Sequence, residues 1–301
     1  MEATPLVRAG NSDAITRAFY DSWLVQQRLL DAVFPTTGIT LFGHKLQTPI
    51  MTAAVSRLDE NFENGITAMA QGVCAAGSMM WMGIGEDDEF EKLAATGVPC
   101  VKIIKPYEDN SEILRQIAFA KACGAAAVGV DVDHCFSKDG GASSLRSGER
   151  AVPKTTGEIA QFVKAAGDTP FVVKGVLSVQ DAVKSAEAGA GAIVVSHHHA
   201  IVDFAVPPAR LLPEIRAAVG ERLAIIADCG IVSGAEAFKA LALGADAVCV
   251  GRSLLGPLKK EGAAGVEAFL RGMTGELAHF LARTGSPSPA EIDPSVLVKR
   301  V

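Results

Sequence analysis

The stretch LAIIADCGIVSGAEAFKALALGADAVCVGR, residues 223–252, has the pattern of a strand, a helix and a second strand. Each strand is a short, almost continuous apolar run, which is typical of parallel strands that are buried on both faces. Between them, Ser233 is a candidate N-cap for an Ala-rich helix that ends at Gly244, where a left-handed residue can terminate it. The stretch therefore predicts a βαβ unit, from which parallel sheets are built.

The same sequence of helix end, glycine and short apolar strand occurs at three earlier places in the chain. These are CAAGSMMWMG (74–83), KACGAAAVGVDV (121–132) and AEAGAGAIVVSH (186–197). Three further apolar runs, PIMTAA (49–54), PCVKII (99–104) and FVVKGV (171–176), complete a set of eight candidate strands with the three above and the two of the opening stretch, the first of which is LAIIADCG (223–230). Eight strands that alternate with helices over about 250 residues predict an α/β fold of the (β/α)8 TIM barrel type, with a doubly wound sheet as the alternative.

Two segments fall outside the repeated pattern. Residues 1–47 are predicted to form an N-terminal helical extension with a helix over 11–33, and residues 48–301 the barrel with its C-terminal helices. The stretch 133–157 is polar, rich in Gly and Ser, and longer than an ordinary connection. Loops of this length in compact domains often cover active sites. No second catalytic or binding domain is predicted.

The composition of the chain argues against several classes of function. The 301 residues are 49% hydrophobic with a formal net charge of −6, which argues against a general nucleic-acid-binding surface. No apolar stretch approaches the roughly 18 residues of a membrane span, and the N-terminus lacks the apolar core of a signal peptide. The six cysteines show no metal-finger spacing and lie mostly in apolar runs. We therefore expect a soluble, cytoplasmic protein whose partner is a small molecule.

Polar residues occur where the predicted strands end, the face that carries the active site in TIM barrels. Lys174 interrupts the apolar strand FVVKGV, and a buried ammonium needs an anion or an electron-rich ligand beside it. A lysine directed outward between helices is the alternative. Gly230 and Gly251 allow the backbone to approach a ligand, and Arg252 adds a cation suited to phosphate. The last two strand ends therefore predict a site for a small anionic group.

Three consecutive histidines, His197, His198 and His199, follow the sixth predicted strand. Adjacent strand residues point to opposite faces, so three in a row are a poor ligand set for one metal ion. A metal site made of His197, His199 and Asp131 stays as an alternative. A catalytic base and a solvated loop without a function are the other interpretations.

From GHKLQTPIMTAA (43–54) to the C-terminus, and most closely over 171–256, the chain resembles the FMN-dependent α-hydroxy-acid oxidases and dehydrogenases, which include glycolate and lactate oxidases. The resemblance implies FMN as cofactor and oxidation of a small, anionic hydroxy compound by hydride transfer to the flavin. The catalytic residues that it implies are His198, Lys174 and Asp131. The cofactor-binding residues that it implies are Thr52, Ala53, Ala54, Lys102, Lys174, Ser196, Asp228, Gly230, Gly251 and Arg252, and no metal is expected.

Within this family, a serine that closes the sixth strand is followed by asparagine, the catalytic histidine and glycine. When this family pattern is aligned with SHHHA (196–200), Ser196 matches the serine and His198 matches the general base. His197 then stands for the asparagine and His199 for the glycine. A base with a pKa near neutrality suits removal of a proton from a hydroxy acid.

The chain departs from the family pattern around the substrate. Ile201 stands where an arginine grips the substrate carboxylate, and Val232 replaces an arginine that follows the phosphate turn. On the third strand, Lys102 replaces a glutamine that contacts flavin and Ile104 a tyrosine used with substrate, while Asp131 replaces a threonine. Candidate replacements for the carboxylate clamp are Lys102, Arg146 and Arg150.

Two further functions stay open at this point. An FMN-dependent isomerase of the type 2 isopentenyl-diphosphate isomerase kind shares this barrel, and a diphosphate substrate would match the cations Lys102 and Lys105. A flavin-binding protein without catalytic activity would match the loss of the carboxylate arginine. By resemblance, we also expect a homo-oligomer, with a tetramer as the candidate state.

Overall fold

The computed structural model describes residues 10–145 and 148–300. At its centre are eight parallel strands: β1 Ile50–Thr52, β2 Met80–Met82, β3 Cys100–Ile104, β4 Ala127–Asp131, β5 Phe171–Val176, β6 Ala192–Val195, β7 Ala224–Ala227 and β8 Ala247–Val250. From β2 to β8 each strand pairs with the next in chain order, and β8 pairs with β1. All eight predicted strands are confirmed.

The sheet closes on itself between β1 and β2. The Thr52 hydroxyl accepts a hydrogen bond from the Trp81 N–H at 2.8 Å, and the Ser78 hydroxyl donates to the Ile50 carbonyl at 2.6 Å. A parallel bridge between Val55 and Met82 extends the contact. The predicted (β/α)8 barrel is therefore confirmed, and the open doubly wound sheet is wrong.

A helix follows each strand on the outside of the barrel. The eight are α1 Gly65–Ala75, α2 Asp87–Ala95, α3 Asn110–Ala122, α4 Thr156–Ala166, α5 Val179–Glu187, α6 Pro208–Val219, α7 Gly234–Ala242 and α8 Leu255–Arg283, the last interrupted at Gly262. A short helix, Leu58–Asn61, precedes α1, and a 3-10 turn, Arg252–Leu254, precedes α8. Ser178 and Ser233 cap α5 and α7 through their hydroxyls, and Gly244 has a φ of 115°, as the sequence predicts.

Strand residues alternate between two buried layers. One layer packs against the helices, and the other fills the barrel with residues such as Trp81, Ile103 and Val172. Because side chains alternate along a strand, this register decides which residues enter the mouth of the barrel. At the strand ends the inward positions are Ala53, Lys105, Asp131, Lys174, Ser196, Asp228 and Gly251.

The N-terminal extension is less helical than the sequence predicts. Its helix spans Ser12–Asp21 rather than 11–33, because Trp23–Val25 pairs antiparallel with Leu297–Lys299. A hairpin, Ile39–Leu41 with His44–Leu46, then lies at the amino ends of the strands. Its Leu41 and Leu46 side chains join the layer inside the barrel, so this hairpin closes the end opposite the mouth.

The long connection after β4 contains some regular structure. A 3-10 turn covers Val132–His134, and Ser143–Ser144 pairs antiparallel with Arg150–Ala151. Residues 146 and 147 lie outside the described part. Within residues 10–145 and 148–300, none of the helices combines the length and apolarity needed to cross a membrane.

Candidate active site

A cavity of about 210 Å³ opens at the carboxyl ends of β1, β5, β6, β7 and β8. Because the residues that line the cavity come from the ends of five strands, the register of the barrel strands determines which side chains face it. Sequence-predicted site residues that line it are Ala53, Ala54, Lys174, His198, Asp228, Gly230, Gly251 and Arg252. The other lining residues are largely apolar, among them Val55, Ile231 and Leu255.

A buried ion group lies beside this cavity. Asp131 Oδ1 is 3.1 Å from the Lys174 ammonium, and Asp131 Oδ2 is 2.6 Å from the Lys105 ammonium. The three residues are at most 7% exposed. Burial opposes the charges, but the opposite charges prevail: the carboxylates raise the pKa of Lys174, and Lys174, His198 and Lys105 hold the pKa of Asp131 well below its usual range. Lys174 points into the barrel, so the alternative of an outward lysine is wrong.

His198 connects this ion group to the cavity. Its Nδ1 lies 2.8 Å from Asp133 Oδ1 and 3.5 Å from Asp131 Oδ1. Since the Asp133 carboxylate accepts a hydrogen bond, Nδ1 carries a proton, and the lone pair of the neutral ring is on Nε2. Burial favours the neutral ring, yet the hydrogen bonds with Asp131 and Asp133 outweigh it and raise the pKa of His198 to about 8. The arrangement suits a histidine that takes up a proton.

The backbone that carries His198 is unusual. His198, His199 and Ala200 all have positive φ, at 47°, 58° and 57°, and the Ile201 N–H closes a left-handed turn on the His197 carbonyl at 3.1 Å. This conformation costs roughly 1–2 kcal/mol for each residue with a Cβ atom. Ser196, predicted to bind the cofactor, does not line the cavity; its hydroxyl accepts from the His198 N–H at 3.0 Å and so supports the turn.

The three histidines have different surroundings and do not form a joint metal site. His197 contacts Thr16 and Ala200, whereas His199 contacts Asp13 and Arg252. In the described part of the chain, the grouping with metal-like spacing is instead Asp131, Asp133 and His198, within 4.8 Å of one another. The Lys174 ammonium already supplies the positive charge there, at 3.1 Å from Asp131 and 3.3 Å from His198 Nδ1.

The other end of the cavity has the features of an anion site. Helices α7 and α8 begin beside it, and Val232 and Leu255 line the wall where they start. The amino ends of helices favour negative charge. Arg252 adds a largely exposed guanidinium, which lies 3.3 Å from Asp13. Asp228 accepts a hydrogen bond from the Cys229 thiol at 2.7 Å, and Cys229 takes a φ of 68° beside Gly230.

Strand register corrects the predicted roles of Lys102 and Thr52. Lys102 faces the helix layer, where its ammonium donates to the Gly83 carbonyl at 2.9 Å and lies over the Phe90 ring. Burial lowers the pKa of Lys102 to about 8, against the attraction of nearby carboxylates. The inward residues next to it are Ile103 on this strand and Lys105 just after the strand ends. Thr52 is fully buried in the β1–β2 closure and does not line the cavity.

Neither of the two candidate clamp residues that the structure describes lines the cavity. Lys102 lies on the opposite face of β3, and Arg150 pairs with Glu108 at 3.1 Å on the surface. Arg146 lies outside the described residues. Of the two positions where arginines are replaced, Val232 lines the cavity and Ile201 is 45% exposed. In the described part, the cations that line the cavity are Lys174 and Arg252.

Sequence reasoning missed Asp133 and Thr16, which the structure brings to the site, and named Lys105 only as a cation for a diphosphate substrate. Asp133 holds His198, and the DVDH segment at the end of β4 carried the signal, since two carboxylates lie at one strand end. The inward position of Lys105 follows from continuing the alternation of Val101 and Ile103. Thr16 lies 181 residues from His197, and no local pattern connects the two.

Comparison with known proteins places this geometry in a family. The model for FMN-dependent dehydrogenases matches residues 9–154 and 142–299. L-lactate oxidase from Lactobacillus jensenii is 29% identical over an alignment 306 residues long, gaps included, that spans 92% of this chain and 75% of that protein. 4-Hydroxymandelate oxidase from Amycolatopsis orientalis is 29% identical over an alignment 310 residues long, gaps included, that spans 92% of this chain and 86% of that protein.

Structural comparison agrees with these matches. The crystal structure of mandelate oxidase with 3,3-difluoro-2-hydroxy-3-phenylpropionic acid superposes with a TM-score of 0.86 at 28% identity, covering 97% of this chain and 91% of that one. These findings favour an oxidoreductase over the isomerase that the sequence left open. The chain therefore belongs to the FMN-dependent dehydrogenase family, and FMN is its cofactor.

Proposed function

We propose that this chain oxidises a small 2-hydroxy acid, or a related hydroxy compound, and that His198 is the general base. The observation that carries the proposal is the 2.8 Å contact between His198 Nδ1 and Asp133 at the cavity wall. It leaves Nε2 as the ring nitrogen available to a ligand. The similarity to lactate and hydroxymandelate oxidases supports this class of substrate.

The residues of the cavity fit FMN. Small residues, Ala53, Gly230 and Gly251, leave room for a flat ring, and a Cβ atom on Gly251 would lie 3.4 Å from the Ala53 side chain. Two helix amino ends and Arg252 suit a phosphate, and the buried Lys174 ammonium suits the electron-rich edge of the ring. We infer that Ala53, Ala54, Lys174, Asp228, Gly230, Gly251 and Arg252 hold the cofactor.

The protein's own residues supply the proton chemistry. When bound, FMN supplies a two-electron acceptor for the oxidation. His198 Nε2 removes the hydroxyl proton of the substrate, and the resulting imidazolium is stabilised by Asp133 at 2.8 Å and Asp131 at 3.5 Å. Lys174 neutralises Asp131, so that one carboxylate charge is already balanced before the ring is protonated. The site thus holds the proton near Nε2 in a partly buried setting.

The proposal is tested by mixing the FMN-loaded protein anaerobically with L-lactate, glycolate or mandelate and following the flavin absorbance. Bleaching by at least one acid, with formation of the matching 2-oxo acid, is the expected result. His198→Ala should retain FMN and bleach roughly 10²- to 10⁴-fold more slowly. A protein that binds FMN but is not bleached by any 2-hydroxy acid would be the flavin-binding protein without catalysis, and the proposal would be wrong.

Assembly and compartment are also proposals. All six cysteines are free, which fits a reducing, cytoplasmic compartment. The resemblance to α-hydroxy-acid oxidases supports a homo-oligomer, with a tetramer as the state to test. Light scattering on the eluting peak of a sizing column should give four times the mass of the chain, and a monomer mass would refute it.

A further inference from the structure

The second histidine of the motif, His197, has no part in the proposed proton chemistry, yet both its ring nitrogens are engaged. It is 1% exposed; Nδ1 accepts from the Ala200 N–H at 3.0 Å, and Nε2 lies 2.8 Å from Thr16 Oγ1. Because Nδ1 accepts, Nε2 carries the proton and donates it to the Thr16 hydroxyl. His197 therefore joins the N-terminal helix to the turn that presents His198.

The turn needs this support because three successive residues with Cβ atoms take the left-handed conformation. Ser196 fixes only the first of them, through the His198 N–H. The bond from the Ala200 N–H to His197 fixes the last. A buried ring that accepts at one nitrogen must find an acceptor for the other, and Thr16 provides it.

The N-terminal helix is well placed for this role. Ser12 donates to the Val202 carbonyl at 2.7 Å and accepts from the Ala205 N–H at 2.9 Å, so the helix is fixed to the far side of the same loop. The Thr16 methyl group also abuts Gly230, at 2.7 Å from where a Cβ atom would lie. One helix thus contacts both the histidine turn and the wall of the cavity.

We propose that His197 and Thr16 are positioning residues for His198: their hydrogen bond holds the left-handed turn in the conformation that presents the base to the cavity. The effect of this hydrogen bond on activity can be measured only if the proposed function of His198 is right. Its effect on the stability of the Ala200 hydrogen bond can be measured whether or not that function is right.

The test compares Thr16→Val with Thr16→Ser in the full-length, FMN-loaded protein. Valine keeps the shape and the methyl group of threonine but cannot accept a hydrogen bond, whereas serine keeps the hydroxyl. Thr16→Val should lower the flavin bleaching rate at saturating acid about 10- to 100-fold, with the half-saturating concentration and the FMN affinity within about threefold. Thr16→Ser should stay within about threefold of the parent.

Amide hydrogen exchange at Ala200 provides the second readout. Thr16→Val should speed this exchange at least about tenfold, and Thr16→Ser should not. Ser12→Ala is the matched control, because it removes contacts of the same helix with the same loop but not the contact with His197. It should speed exchange at Ala205 and leave the Ala200 amide and the bleaching rate close to the parent.

Unchanged exchange at Ala200 in Thr16→Val would overturn the inference, and so would equal losses in Thr16→Val and Thr16→Ser. Should no 2-hydroxy acid bleach the parent, the proposed function fails while the exchange comparison still decides this inference. If Thr16→Val does not fold, His197→Phe, which keeps an aromatic ring without either nitrogen, is tested by the same two readouts.

Discussion

The rate of flavin reduction should rise with pH, because only the neutral form of His198 can accept a proton. With a pKa of about 8, the neutral fraction is about 1% at pH 6, about 9% at pH 7 and about 90% at pH 9. The rate should therefore increase nearly tenfold between pH 6 and 7 and level off above pH 9. The difference between the ordinary value of 6.5 and about 8 corresponds to about 2 kcal/mol in favour of the protonated ring.

Asp133→Asn tests how much of this effect comes from Asp133. Removing the charge 2.8 Å from Nδ1 leaves only Asp131 to favour the protonated ring, against burial and Lys174, which favour the neutral ring. The midpoint of the pH profile should fall from about 8 toward the ordinary value of a histidine, 6.5. The assay is stopped-flow absorbance of the flavin under anaerobic conditions, at saturating acid, from pH 5.5 to 9.5. A profile that is flat or that falls with rising pH in the parent would refute the assignment of His198 as the base.

Three further substitutions test the placement of the lysines. Lys174→Met should weaken FMN binding or alter the flavin spectrum, and an unchanged titration of the apoprotein with FMN would place this lysine outside the cofactor site. Lys105→Met removes the ammonium 2.6 Å from Asp131, so the carboxylate should raise the pKa of His198 and move the pH midpoint upward. Lys102→Met should change neither FMN affinity nor the pH midpoint; a change in either would contradict the outward register.

The barrel could be predicted from the sequence because its strands and helix ends repeat a strong local pattern. Most of the apolar runs are bounded by a glycine or a capping serine, and such signals act over a few residues. The N-terminal helix was predicted too long because its end depends on Trp23–Val25 pairing with Leu297–Lys299, more than 270 residues away. No local propensity records that contact.

The site residues could likewise be placed from the sequence only where the local strand pattern is strong. Lys174 and Asp228 are on inward positions of strongly patterned strands, and the sequence placed them at the cavity. The resemblance implies Lys102 at the cavity, and the sequence of β3 does not correct this, because the strand is apolar on both faces and does not show which face is inward. A shift of one residue exchanges the two faces, and Lys105 takes the inward place.

Closure of the barrel also constrains how the protein is made. β1 ends at Thr52 and its partner β8 ends at Val250, so 198 residues separate the two paired ends. At about 5–20 residues per second, a ribosome needs roughly 10–40 s to synthesise that interval, during which one edge of β1 has no strand beside it. Unpaired apolar edges promote aggregation. The last strand also brings Gly251 beside Ala53, so the cofactor site is complete only after β8 has been synthesised. We therefore expect chaperones to protect the growing chain until the cofactor can bind and stabilise it.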